Sequence, residues 1–361
     1  MLSNHRTSAR RAMAGLAIVI AFMTFSPARS DEPAPASKPA VSDTDAKFVA
    51  DTLASIDANA PDTIAKAQNS LEAKGKSIVP ALKQALDTAS PQASGVLDSA
   101  LVALDWGIDA PKVINDWVRT KNEQFKTDLT PVIISAKELS REFPEAKFYF
   151  VGFRQYPVAM EPPAPLSSRN IFMLSKDAKV KLATNSDDLK AIFKDKLPAV
   201  KEDRDAKDAV IAWLEVSKEV SSDGWMKFTI PHDQVKVAKT DKGSESTGVA
   251  VVGGGGQNPK MGDRGQIDAK LTFDGKGKLT DISEEVKIQP GIRPMCQATK
   301  LLDPDPLVRK ICEQDLLIMG SAAREYIMEQ RAKATPQLQK EIDRVWQLIL
   351  DREKQWREWT K

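Results

Sequence analysis

The chain has 361 residues, 42% of them hydrophobic and 28% charged, which predicts two or three domains and excludes a chain disordered throughout. Residues 1–30 hold four arginines and no acid, so the rest carries 52 less 4, or 48, basic residues against 50 acidic ones, and gives no electrostatic case for nucleic acid. Of the two histidines only His232 lies beyond residue 30, which weakens His-rich zinc sites and histidine relays.

The chain opens with a basic stretch holding Arg6, Arg10 and Arg11, followed by an apolar run from Met13 to Phe25 and then Ser26-Pro-Ala-Arg-Ser30. A basic end, a short apolar core and a small-x-small exit at Ala28 and Ser30 form the pattern of a secretory signal peptide, with cleavage after Ser30. The run falls short of the ~20 apolar residues that span a bilayer, so an export signal is expected and no membrane span in the mature chain. Residues 31–43 are rich in Pro and Ala and read as an extended linker. The mature protein is then expected in the periplasm or released.

From residue 44 to 143 the pattern is helical. Ile64, Ala67 and Leu71, a break at Gly75, then Ile78, Val79, Leu82 and Leu86 place apolar residues on one face of each of two helices. The same pattern returns near the other end. A gapless shift of 245 sets Pro61 on Pro306, Leu71 on Leu316, Gly75 on Gly320, Leu82 on Ile327, Pro91 on Pro336 and Leu97 on Ile342. Two further helices are expected at Ala110–Phe125 and Thr130–Phe143, and these would join the two repeats in one helical layer.

Each unit is about 45 residues long. The stretch Asp303-Pro-Asp-Pro-Leu-Val-Arg-Lys-Ile-Cys312, with Leu316 and Met319-Gly-Ser-Ala-Ala323, resembles a HEAT unit, in which a D-x-x-V-R helix start precedes a core Leu and a Gly turn. On this reading Asp305 caps the helix and Pro306 fits its first turn. Val308, Ile311, Cys312 and Leu316 would share a buried stripe. The resemblance covers about 61–105 and 303–350 and implies a shape without chemistry.

Between the repeats, residues 144–292 change pattern. Strands are expected at Lys147–Phe153, Asn170–Leu174 and Lys179–Ala183, then a short helix at Leu189–Phe193. Asp205–Val220 carries the strongest helical stripe of this region. It is followed by strand candidates Trp225–Ile230, Val235–Ala238, Gly248–Val252, Ile267–Phe273 and Leu279–Ile288, the last two joined through Asp274-Gly-Lys-Gly277. A long helix followed by consecutive antiparallel strands resembles the cystatin-like and nuclear-transport-factor-like superfamilies, in which one curved sheet wraps one helix. The expected fold class is therefore α+β: HEAT-like segments, the second at 293–361, flanking an antiparallel sheet wrapped on a long helix.

Few residues suggest chemistry, and neither a cofactor nor a metal is expected. Gly253–Gly256 lacks the Lys-Ser/Thr and the helix that a phosphate loop needs. His232 has no partner ligand in sequence, Asp303 and Asp305 are too few for calcium, and Asp281 and Glu285 share a strand face opposite Glu284. Cys296 and Cys312 could form a disulfide after export, although the repeat sets Cys312 on Ala67, a small core position that suits a thiol. Trp346 aligns with Leu101 and is expected in the core. Trp356 and Trp359 lie beyond the match and would either seal the end of the helices or anchor a partner.

The sequence thus points to an exported non-enzymatic scaffold that binds an unknown protein or peptide. The alternative is an enzyme or small-ligand carrier with a pocket between the helix at 205–220 and the sheet. The lining decides between them, and Trp213, Leu214, Phe228 and Phe273 suggest that this space is filled.

Overall fold

The computed structural model describes residues 41–56, 61–153, 155, 161–253, 262–291, 293 and 297–359. The leader, most of the linker, Gly254–Gly256 and Cys296 lie outside the described residues. The fold is α+β, with helices at both ends and two antiparallel sheets between them.

Helices α1 (Asp43–Ala54), α2 (Pro61–Ala73), α3 (Val79–Leu86) and α4 (Pro91–Leu101) close on a core of Val49, Ala67, Leu71, Ile78, Leu82, Leu97 and Ala100. Proline at the first position of α2 and of α4 costs no hydrogen bond, and the Ser90 hydroxyl accepts from the Ala93 amide to cap α4. A π-helical turn, Val102–Trp106, ends at Gly107 in the left-handed region and leads to α5 (Ala110–Lys121).

The expected helix at Thr130–Phe143 is instead a two-residue strand, β1 (Val132–Ile133), and a short helix, α6 (Lys137–Glu142). The Asn115 carboxamide fixes Leu129 by accepting from its amide at 2.8 Å and donating to its carbonyl at 3.0 Å. Pro131 disfavours helical geometry at Thr130, so the helix starts only beyond the β-branched run.

Strands β2 (Ala146–Gly152), β3 (Arg169–Ser175) and β4 (Val180–Ala183) complete the first sheet in the order β1-β2-β3-β4. Then follow α7 (Ser186–Lys196), α8 (Asp203–Ser221), β5 (Phe228–Thr229), β6 (Lys236–Thr240), β7 (Gly243–Val252), β8 (Arg264–Asp274) and β9 (Leu279–Gln289). The second sheet runs β5-β7-β8-β9, with β6 also paired to β7.

The single curved sheet expected from sequence is therefore two sheets, with α8 packed between them. Phe148, Ile171 and Met173 of the first sheet and Ala250, Ile267, Leu271, Phe273 and Ile282 of the second share one core with Ala209, Val210, Trp213 and Leu214. The other face of the first sheet, through Tyr149, Val151, Phe172 and Leu174, meets Ala110, Ile114 and Val118 of α5. Helix α5 therefore covers a sheet and does not add a layer to the terminal helices.

A 3-10 turn (Ala298–Leu302), α9 (Pro306–Met319), a second 3-10 turn (Gly320–Ala323), α10 (Arg324–Ala332) and α11 (Pro336–Trp359) form the last core around Cys312, Leu316, Ile327, Ile342 and Val345. The shift of 245 holds in three dimensions. It maps the first residues of α2, α3 and α4 onto those of α9, α10 and α11, and left-handed Gly75 onto left-handed Gly320. It also maps buried Ala67, Leu71, Leu82 and Leu97 onto buried Cys312, Leu316, Ile327 and Ile342. The two repeat cores nevertheless have no residue in common, so they do not form the single helical layer expected. Among the described residues no helix is long and apolar enough to cross a membrane.

Candidate interaction surface

Among the described residues, every buried side-chain polar atom except the Ser246 hydroxyl of β7 has a hydrogen-bond partner. Asp98 of α4 is fully buried and holds the Lys147 ammonium of β2 at 2.5 Å. The Ser135 hydroxyl donates to the same carboxylate at 2.7 Å and that of Ser140 at 3.1 Å, while Lys147 also donates to Ser140. This network joins the first helical core to the first sheet. A second buried cluster lies where the sheets meet the last helices. There Arg293 donates to Asp223 at 2.5 Å and to Asp263 at 2.6 Å, and Asp263 also accepts from the Gly291 amide.

The carboxylates singled out from sequence do not converge on a common point. Glu284 faces inward and accepts from Trp213 Nε1 at 2.8 Å, from the Ser186 hydroxyl at 2.9 Å and from Ser217. Asp281 pairs with Lys194 and Glu285 with Lys287 on the outside. His232 lies in a 3-10 turn, half-exposed, with Nδ1 3.8 Å from Glu138. Asp305 caps α9 by accepting from the Leu307 amide, and Asp303 accepts from the Asp305 amide. Among the described residues no group of three or more His, Cys, Asp or Glu could hold a metal ion. The space between α8 and the second sheet is occupied by Trp213, Leu214 and Phe273, all essentially without solvent exposure, with Phe228 packed at its edge.

One acid stands apart. Glu142, at the end of α6, is 6% exposed, and burial, with Asp205 and Asp208 adding to it, pushes its pKa up to about 7. It borders an open groove of about 390 Å³ whose rim carries Lys176, Lys179, Lys181 and Lys196. Lys179 is paired to Asp177, and Lys181 and Lys196 to Asp195.

The cysteine and tryptophan candidates fall on the last helices. Cys312 is buried, with Sγ 3.3 Å from the Gln297 carbonyl oxygen, and Cys296 lies outside the described residues. Trp346 packs on the core, as expected. Trp356 and Trp359 belong to α11, and their side chains lie outside the described residues.

The most unusual surface is on α9. Leu307 is 62% exposed, Ile311 47% and Ile318 50%. Ile311 was expected in the buried stripe, but its position turns it outward, and the core face is made by Cys312, Leu316 and Met319. Alongside α9 runs an open groove of about 640 Å³ bordered by Leu302, Pro306, Lys310, Leu317, Glu341 and Arg344. The equivalent positions on α2 are Asp62, Lys66 and Ala73. The repeat unit can therefore be built without an apolar outer face, and the second copy of the unit carries one. The spacing from 307 to 311 to 318 was legible in the sequence.

Comparison of the chain with protein-family models, with curated proteins and with solved structures found no match in any of the three.

Proposed function

We propose that this protein is an exported, non-enzymatic scaffold that binds a protein or peptide through its helical ends, which resemble HEAT units. The exposed row of Leu307, Ile311 and Ile318 on a folded helix carries this reading, because apolar side chains in register on one helix face usually mark an interaction site. The filled interior supports it. A ligand carrier or an enzyme of the alternative kind needs room between α8 and the second sheet, where Trp213, Leu214 and Phe273 are closely packed. Export is supported only by the leader pattern, and N-terminal sequencing of exported material should begin at Asp31.

The binding surface can be tested with a photo-crosslinking residue placed at Ile311 in living cells. A covalent adduct is expected there and not at Lys66, the equivalent position of the first unit. Equal or absent labelling at the two positions would refute the reading.

A further inference from the structure

We propose that α9 pairs in parallel with α9 of a second copy of this chain, through Leu307, Ile311, Gln314 and Ile318. This rests on the reading of the α9 face as an interaction surface and names its occupant.

The spacing of these residues is four, three, four, which is the seam of a two-stranded coiled coil. Ile311 and Ile318 fall at position a, and Leu307 and Gln314 at position d. Isoleucine at a with leucine at d favours parallel dimers. All four residues are exposed, so the seam is open along the helix.

Charge supplies the second observation. Lys310 stands at position g and Asp315 at position e, on opposite flanks of the seam. In a parallel pair, g of one heptad lies beside e of the next heptad on the partner. Lys310 of each copy then meets Asp315 of the other, twice by symmetry. An antiparallel pair would set Lys310 against the flank that carries Lys310 and Leu317, so the charges select the parallel arrangement.

The other charges of this stretch are already engaged. Arg309 donates to the carbonyls of Asp303 and Pro304, and Glu313 pairs with Arg344 at 2.6 Å. Among the described residues Lys310 and Asp315 take part in no ion pair within the chain. On α2 the positions equivalent to Lys310, Gln314 and Asp315 are Ala65, Asn69 and Ser70, so seam and flanking charges occur together in one unit and are missing together in the other.

Two heptads are too short to form a helix pair from unfolded chains. Here Cys312, Leu316 and Met319 already hold α9 against its own core, so pairing carries no cost of helix formation. With three apolar residues per copy, the dissociation constant should be on the order of 10⁻⁵ M.

Sedimentation of the exported full chain over a wide concentration range tests this. The expected result is a monomer–dimer equilibrium that Lys310→Glu or Asp315→Lys each weakens about tenfold, and that the double exchange restores to within about threefold. Lys310 is exposed and Asp315 half-buried, and neither belongs to the core that holds α9. A chain that stays monomeric to about 1 mM, or a dimer indifferent to the single exchanges, overturns the proposal. A monomer whose Ile311 crosslinks in cells to a different protein removes the second copy and keeps the scaffold reading. A monomer with no such adduct removes both.

Discussion

Two buried acids illustrate how much one side chain can carry. Asp98 compensates the ammonium of Lys147, and both side chains are at least nine-tenths buried. Replacing Asp98 by Ala leaves that charge uncompensated and should lower stability by about 3–5 kcal/mol. The double change Asp98→Ala with Lys147→Met should recover most of the loss, measured by urea unfolding. If the two single costs simply add, the pair is not coupled. Glu142 shows the opposite sign. Its folded pKa of about 7 lies above the ordinary value of 4.5, so between those values the folded chain keeps a proton that the unfolded chain has released. Stability from this group is therefore complete below about pH 4.5 and is lost as pH rises through about 7. The full loss is about 3 kcal/mol. Glu142→Gln should unfold like the native chain at pH 4 and be more stable by about 3 kcal/mol at pH 8. The same difference at both pH values would mean that Glu142 is ionised in the fold. Neither role was legible beforehand, because Asp98 and Lys147 are 49 residues apart and the acids that raise Glu142 lie on another helix.

At the scale of elements, the sequence is informative wherever periodicity is clear. Strands β8 and β9 alternate inward and outward, and Asp274-Gly-Lys-Gly277 closes their hairpin with Gly277 in the left-handed region, so these two lie nearly where expected, whereas the expected strand Gly248–Val252 is only the second half of β7. Helix α8 was placed to within two residues, but its surroundings were misjudged. The run Ala209-Val-Ile-Ala-Trp-Leu214 is apolar at six consecutive positions, more than one stripe accommodates, and every one is buried. Such a helix is covered on more than one side. The strands β2 and β3 carry the same sign, since Phe148–Val151 and Ile171–Leu174 are continuous apolar runs that need cover on both faces. Gly248 adds a local condition: a Cβ there would lie 3.1 Å from Leu214, so β7 approaches α8 closely at a residue without a side chain. On α9 the seam was present as spacing, but spacing alone does not state which of two apolar faces meets the core.

Across the whole molecule, the repeat of 245 residues explains both what recurs and what differs. Prolines, the left-handed glycine and the inward residues recur because each unit must close its own core. The outward residues are free to differ, and α2 is polar where α9 is apolar. The first unit is completed by α1 and tied to the sheet by Asp98 and Lys147. The second is joined to the sheets differently, through Trp225, whose ring lies 5.6 Å from that of Tyr326, and through Arg293 between Asp223 and Asp263. Arg293 is 7% exposed at the side chain, so its removal leaves two carboxylates mostly shielded from water without their cation. Because the two helical cores share no residue, this damage should stay local. Arg293→Met is expected to speed amide hydrogen exchange in α9 to α11 by at least about tenfold while leaving α2 to α4 unchanged. Equal acceleration in both units would show that the molecule opens as one cooperative body and that the clasp has no particular claim on the second unit.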